Sequence, residues 1–156
     1  MKIINLKARG NELEEKLSPY LKGQLFHITT SENWIKIKKS GHITGKDVND
    51  SLCQQRSSYG PKRNYVCMFD WKNNPEEIIE QQLTKLYVFD PYDEKNDPIF
   101  VIFKESIETN IIPNEVAVKE TGYRERFVPK VECWHPDDIP LGKIKTVLIT
   151  KYVRDQ

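Results

Sequence analysis

The sequence predicts one domain of the α+β class that spans residues 1–156, with a mostly antiparallel sheet and a few flanking helices. Short apolar runs typical of strands number about six, whereas helical segments number about three. The two kinds do not alternate regularly, so a doubly wound parallel sheet is not expected. No internal repeat or low-complexity linker divides the chain, and its 156 residues suit a single domain.

Helix signals are clearest in the first third of the chain. Leucines recur every four residues and so share one helix face: Leu13, Leu17 and Leu21. Pro19 is expected to limit this helix to the residues before it. A strand is predicted at 24–29. The next helix begins at Thr30 or Ser31, which can cap it, and ends at Gly41, which can take the left-handed conformation.

The rest of the chain predicts one long loop, further strands and short helices. Residues 44–61 are polar and rich in turn formers, and they predict a loop of about 18 residues, well beyond the usual length. The run 74–77 has a cap, a first-turn proline and two acids, so it begins a helix through about Leu83. Pro113 precedes a further short helix. Apolar or aromatic runs predict strands at 65–69, 86–89, 99–103, 126–134 and 144–152.

Composition narrows the function classes. With 24 basic and 23 acidic residues the net charge is +1, which argues against a protein that coats nucleic acid. The three cysteines are odd in number and lack C-x-x-C spacing, which indicates free thiols in a reducing compartment. No apolar run approaches the roughly 20 residues of a membrane span. We therefore expect a cytoplasmic protein without a membrane partner. The three histidines lie in separate segments and predict no metal site.

A histidine near the end of a predicted strand is the first candidate for function. His27 points to the opposite face from Phe26 and Ile28, and Thr29 lies on its own face two residues later. Two such hydrogen-bonding groups could hold a ligand with vicinal hydroxyls, such as a ribose. The alternative is a histidine that is satisfied by the cap of the following helix.

Residues 25–43 combine a strand that carries His-x-Thr, a short helix with Trp34 and Ile35, and a turn with Gly41. This order resembles the first motif region of ADP-ribosyltransferase-like domains. That group includes DNA-modifying ADP-ribosyltransferase toxins and, more distantly, RNA 2′-phosphotransferases. The resemblance implies an ADP-ribosyltransferase-like split antiparallel sheet that binds NAD as a substrate.

Two later segments agree with the resemblance in their order along the chain. The strand that contains Tyr65 matches the family strand that carries an aromatic residue on the nicotinamide side. The run 126–135 matches the strand of the catalytic glutamate, which is Glu132 here. Glu132 would stabilise positive charge on the ribose as the nicotinamide bond breaks, and would orient or deprotonate the attacking group. Without the resemblance, Glu132 has two other interpretations: a half-exposed sheet face, or an ion pair with Arg126 or Lys130.

The resemblance also implies a set of NAD-binding residues. His27 and Thr29 would hold a ribose hydroxyl, and the backbone beside Ile28 would hold the nicotinamide amide. The forked guanidinium of arginine suits a pyrophosphate, although ordinary surface charge is the alternative. The remaining candidates are two arginines for the pyrophosphate and two tyrosines for stacking on the nicotinamide: Arg56, Arg63, Tyr59 and Tyr65.

Two departures from the family leave the acceptor open among protein, DNA and RNA. RNA 2′-phosphotransferases have an arginine directly before the histidine, whereas Phe26 precedes His27 here. Lys130 stands two residues before Glu132, where many protein-arginine transferases have a glutamate or glutamine. We expect an NAD-dependent ADP-ribosyltransferase, a glycosyltransferase that acts on a macromolecule, such as a toxin. The alternatives are a phosphotransferase or NAD hydrolase on the same fold, and a binding module without catalysis.

Overall fold

Six strands pair into one sheet in the computed structural model of the chain, which describes residues 1–9, 12–46, 58–83 and 97–153. The described strands are β1 (Lys2–Ala8), β2 (Leu25–Thr30), β3 (His42–Ile43), β4 (Val66–Asp70), β5 (Pro98–Phe103), β6 (Glu132–His135), β7 (Ile139–Pro140) and β8 (Ile144–Tyr152). The order in the large sheet is β1-β8-β5-β2-β4-β6, and β3 pairs with β7 in a separate ribbon.

The large sheet is mostly antiparallel. Only the edge pair β1 and β8 runs parallel among the ladders of this sheet that the structure describes. The described α-helices are α1 (Leu13–Leu21), α2 (Ser31–Ser40), α3 (Tyr59–Lys62), α4 (Glu76–Leu83) and α5 (Asn114–Thr121). Two 3₁₀ turns cover Glu105–Asn110 and Leu141–Lys143. This arrangement confirms the α+β class.

The sheet is buried on both faces because a helix covers each of them. On the first face, Phe26 and Ile28 of β2 join the buried leucines of α1 in one apolar cluster. On the second face, Leu25 of β2 joins Trp34 and Ile37 of α2 in another. Alternate residues of β2 therefore serve opposite cores, as the pleat requires. Central strand β5 is buried along its whole length, which explains its unbroken apolar sequence.

The local signals for α2 are confirmed in detail. The Thr30 hydroxyl accepts a hydrogen bond from the backbone N–H of Asn33 at 3.1 Å, so Thr30 is the cap. Gly41 ends the helix with φ +83°, in the left-handed region. The strands predicted at 24–29, 65–69, 99–103 and 144–152 are also confirmed, each within one residue at either end.

Two predictions about element boundaries are wrong. Helix α1 continues through Pro19 to Leu21, because its three leucines are all buried and their packing outweighs the single backbone donor that proline removes. The strand predicted at 126–134 is only β6. The residues before it form a turn in which Lys130 has φ +65°, and Pro129 within that turn has no N–H to give to a ladder.

Strand β1 and helix α3 were not predicted from the sequence. Strand β1 lies in a segment for which no element was predicted, and α3 begins within the predicted loop 44–61. The strand predicted at 86–89 falls outside the described residues, as do residues 47–57 of the loop. No helix in the described ranges has both the length and the apolar character needed to cross a bilayer.

Candidate functional site

Three segments that the sequence singled out lie side by side in the sheet. Strand β2 carries His27, its neighbour β4 begins directly after Tyr65, and the edge strand β6 begins with Glu132. The segments are distant along the chain, so only the tertiary fold makes them neighbours. The edge of β6 is closed in turn by an isolated bridge between Trp134 and Ile112.

Strands β2 and β4 separate at His27. Their ladder pairs Leu25 with Asp70 and Phe26 with Phe69, and it extends no further, whereas β2 stays paired with β5 as far as Thr30. At the point of separation, Nδ1 of His27 lies 2.6 Å from the carbonyl oxygen of Cys67 in β4. A side-chain hydrogen bond thus takes the place of the next rung of the ladder.

The bond to Cys67 sets the tautomer of His27. A carbonyl oxygen can only accept, so Nδ1 carries the proton and donates it, which leaves Nε2 with a lone pair. Within the described ranges, Nε2 has no hydrogen-bond partner. Burial lowers the pKa of the imidazole, and the bond to Cys67 opposes this only in part. His27 is therefore a neutral ring at pH 7 that can accept a hydrogen bond from a hydroxyl.

Stability should depend on pH through His27. Because its pKa is lower in the folded chain than the ordinary 6.5, the unfolded chain binds more protons just below pH 6.5. Unfolding free energy is therefore expected to fall as the pH drops through 6.5, and to stop falling below the folded-state pKa. The loss is about 1.4 kcal/mol for each unit by which the pKa is lowered.

The matched variant is His27→Asn, whose amide can still donate to the Cys67 carbonyl but does not titrate in this range. Urea unfolding at pH 7.5 and pH 5.5 should show a smaller pH dependence in the variant than in the wild type. An equal pH dependence in both proteins would mean that His27 titrates in the folded chain as it does in the unfolded one.

The other two candidates on β2, Thr29 and Ile28, have side chains that contact other parts of the fold. Thr29 is buried, and its hydroxyl oxygen accepts a hydrogen bond from Nδ2 of Asn33 at 2.7 Å. Ile28 has its side chain in the core of the first face and pairs with Phe100 in β5. The helix-cap alternative therefore applies to the threonines of β2, whereas His27 bonds to β4 instead.

Glu132 is a buried carboxylate, only 2% exposed. Its Oε1 accepts from the backbone N–H of Val128 at 2.9 Å. Its Oε2 accepts from the Trp134 indole at 3.0 Å and from the Cys67 thiol at 3.0 Å. These donors offset the cost of burying the charge. The interpretation of Glu132 as part of a half-exposed sheet face is therefore wrong.

The side chains of His27 and Glu132 lie on opposite faces of the sheet. Glu132 pairs with Phe69, and Phe69 pairs with Phe26, so these three residues share the first face. His27 follows Phe26 and points to the second face. The two candidates nevertheless meet at Cys67, whose carbonyl binds His27 and whose thiol binds Glu132.

Tyr59 and Tyr65 stand on the Glu132 side. Tyr59 is buried with its ring 4.5 Å from that of Trp134, and its hydroxyl donates to Glu120 at 2.7 Å. Burial, with the Glu120 carboxylate beside it, raises the pKa of Tyr59 well above its usual value. Tyr65 is half-buried, with its ring 6.3 Å from that of Tyr59. Tyr59 thus belongs to the core, and Tyr65 keeps an accessible surface.

Arg63 is already bound to a carboxylate. Its Nη1 donates to Glu125 at 2.6 Å and to the Tyr59 carbonyl at 2.9 Å, and the guanidinium stacks on the Tyr59 ring at 3.8 Å. Hydrogen bonds from Arg63 and then Lys62 lower the pKa of Glu125. A pyrophosphate would have to displace Glu125 to reach this arginine. Arg56, the other candidate, lies outside the described residues.

The sequence interpretation missed Cys67 and Trp134 as partners of Glu132. One signal was present for Trp134, since residues two apart on a strand share a face and an indole N–H is a donor only. Nothing local pointed to Cys67, which lies 65 residues from Glu132. Comparison of the chain with protein-family models, curated proteins and solved structures gave no match.

Proposed function

We propose that the chain is an ADP-ribosyltransferase-like domain that binds NAD where β2 leaves β4 and transfers ADP-ribose to a macromolecular acceptor, which is protein, DNA or RNA. The observation that carries the proposal is the protonation and hydrogen bonding of the His27 ring. It is a neutral ring, fixed by Cys67, and it has an acceptor nitrogen without a partner among the described residues. A ribose hydroxyl is a donor that matches this nitrogen.

The strand arrangement supports the same proposal. His27, Tyr65 and Glu132 stand on or beside three consecutive strands of the sheet, in the order that the resemblance implies. The cytoplasm is the proposed location, and the free thiols Cys67 and Cys133 agree with a reducing compartment.

In this proposal His27 accepts a ribose hydroxyl at Nε2, and Glu132 supplies the carboxylate that favours positive charge on the sugar. A buried charge acts over longer distances than an exposed one because water screens it less. Glu132 points to the opposite face of the sheet from His27 and is held by Trp134 and Cys67, so in this proposal it acts on the sugar through its charge and without direct contact. No free cation for the pyrophosphate is among the predicted residues that the structure describes, since Arg63 is held by Glu125.

A binding module without transfer is the second candidate function. The observation that favours it is the position of Glu132, which lies on the face opposite His27. Its carboxylate oxygens accept hydrogen bonds from Val128, Trp134 and Cys67. A carboxylate placed in this way stabilises the turn before β6 whether or not the chain is an enzyme. Such a module would still bind NAD through His27.

Nicotinamide release from NAD tests the first candidate. The wild type should release nicotinamide, and Glu132→Gln should release it at least about a hundredfold more slowly, because loss of a transition-state carboxylate costs several kcal/mol. His27→Asn should mainly weaken NAD binding. The reaction is run with labelled NAD, alone and with added protein, DNA and RNA, so that transfer and hydrolysis are distinguished.

Glu115→Gln is the control, since this acid is exposed and has no partner among the described residues. Full activity in a folded Glu132→Gln variant would remove Glu132 from the mechanism. Thermal stabilisation by NAD without release, lost in His27→Asn, would establish the binding module instead. If the chain releases no nicotinamide and is not stabilised by NAD with any acceptor class, both candidates are refuted.

A further inference from the structure

Strand β1 is an edge of the large sheet, with β8 as its one neighbour among the described residues. It pairs with β8 along its whole length, Lys2–Ala8, without a bulge or a shift of register. A long regular edge presents backbone N–H and C=O groups that can pair with a further strand. The free side of β1 is therefore a surface on which another strand can add.

Alternate residues of β1 direct their backbone groups to this free side. The carbonyl of Ala8 accepts a hydrogen bond from the N–H of Val153 at 2.8 Å, so Ala8 bonds on the β8 side. In a parallel ladder the residues that bond to one neighbour alternate along the strand. The outward-facing residues are therefore Ile3, Asn5 and Lys7.

A lysine on α1 contacts this side but does not close it. The carbonyl of Lys7 accepts from the Lys16 ammonium at 2.7 Å, which agrees with its outward direction. A carbonyl oxygen has two lone pairs, so the same group can also accept from a strand. Within the described ranges, the N–H groups of Ile3, Asn5 and Lys7 have no hydrogen-bond partner.

The side chains of β1 are incompletely covered on both faces. On the first face, Ile4 and Leu6 pack against the apolar cluster that includes Ala8, yet both remain half-buried. On the second face, Ile3 is 46% exposed. A further strand beside β1 would remove apolar surface from water on both faces, which favours its addition.

We propose that β1 pairs with β1 of a second copy of this chain, in antiparallel orientation about a twofold axis at Asn5. This register sets Asn5 opposite its own copy and Ile3 opposite Lys7. It is the register that pairs all three outward-facing residues of the strand, and each such pair exchanges two backbone hydrogen bonds. The two sheets then continue into each other.

The charges of β1 fit a second copy. In this register Lys7 stands opposite Ile3, and Lys2 stands opposite Ala8. No lysine faces another lysine, an arrangement that would be destabilising. The aliphatic stem of Lys7 can cover the exposed Ile3 while its ammonium remains in water.

The apolar residues of β1 fit a second copy as well. Ile4 stands opposite Leu6 on the first face, so the apolar clusters of the two copies meet at the axis. Such a contact is self-complementary and closes as a dimer, as twofold interfaces do. A single pair of strands is a small interface, and we therefore expect a dimer that dissociates on dilution.

Pairing through β1 leaves the proposed NAD site uncovered. Strand β2, which carries His27, is separated from β1 by β8 and β5. The dimer can therefore form whether or not the chain binds NAD.

Sedimentation velocity over a concentration series tests the pairing. The wild type should shift from monomer to dimer as its concentration rises. Asn5→Pro removes the N–H that bonds across the axis in both copies, so the dissociation constant should rise at least about tenfold. The monomer should still fold, because this N–H faces the free edge, where proline is tolerated. Asn5→Ala keeps the N–H and is the control, with association like that of the wild type.

Crosslinking tests the register. Residues of a hydrogen-bonded antiparallel pair have Cα atoms about 5.5 Å apart, a distance that suits a disulfide. Asn5→Cys should therefore form a disulfide-linked dimer under a mild oxidant, as seen on a non-reducing gel. Lys7→Cys is the control and should not, because each copy of this residue stands opposite Ile3 rather than opposite itself.

Three results would overturn the proposal. The first is a wild type that remains monomeric at every concentration. The second is equal association of the wild type and a folded Asn5→Pro variant, which would place the contact on another surface. The third is crosslinking of Lys7→Cys that equals or exceeds that of Asn5→Cys, which would exclude an axis at Asn5.

Discussion

Glu132→Ala should lower the free energy of unfolding by about 3–5 kcal/mol, because three buried donors lose the acceptor that they share. The carboxylate receives hydrogen bonds from the Trp134 indole, the Val128 N–H and the Cys67 thiol. Alanine leaves these donors without that acceptor in a buried site, and each unsatisfied group costs about 1–3 kcal/mol. Glu132 also holds the turn before β6, so its loss should destabilise that edge of the sheet.

Urea denaturation followed by tryptophan fluorescence measures this loss, since Trp134 is both reporter and partner. Glu115→Ala is the matched control and should change stability by less than about 0.5 kcal/mol, because its side chain is exposed. A loss below about 1 kcal/mol in Glu132→Ala would mean that water enters the site. The same denaturation experiment on Glu132→Gln decides whether reduced activity in that variant reflects chemistry or unfolding.

The substitution Gly60→Ala is expected to cost about 3 kcal/mol or more, at or above the upper end of the usual cost of overpacking. A Cβ at Gly60 would lie 2.5 Å and 2.6 Å from two atoms of the Trp134 indole. Trp134 cannot move aside, because it is fully buried, packs on Tyr59 and donates to Glu132. The added methyl group should therefore displace α3 from β6.

Gly142→Ala is the control for this prediction, since a Cβ there would meet nothing within 4 Å. It should be neutral or slightly stabilising, by about 0.5 kcal/mol, through the unfolded chain. Thermal unfolding of both variants makes the comparison. Equal melting temperatures would show that the indole is mobile, which would weaken the case that Trp134 fixes Glu132.

Local chemistry was enough to predict the elements that depend on neighbouring residues. The cap at Thr30 and the left-handed Gly41 bound α2, because hydroxyl capping and positive φ are properties of single residues. Central strands such as β5 and β8 follow from apolar runs that only a buried sheet can accommodate. The predictions failed at β1 and at the turn before β6, where pairing with distant strands and a lysine at positive φ determine the backbone.

The sequence by itself determined the α+β class, the capped helix after β2, and the face of that strand to which His27 points. Only the tertiary structure decided which groups meet these residues. The pairing of β2, β4 and β6 puts His27 and Glu132 on opposite faces, with Cys67 between them. It also pairs Arg63 with Glu125. Register and long-range pairing control these contacts, and neither is encoded in the spacing of residues along one segment.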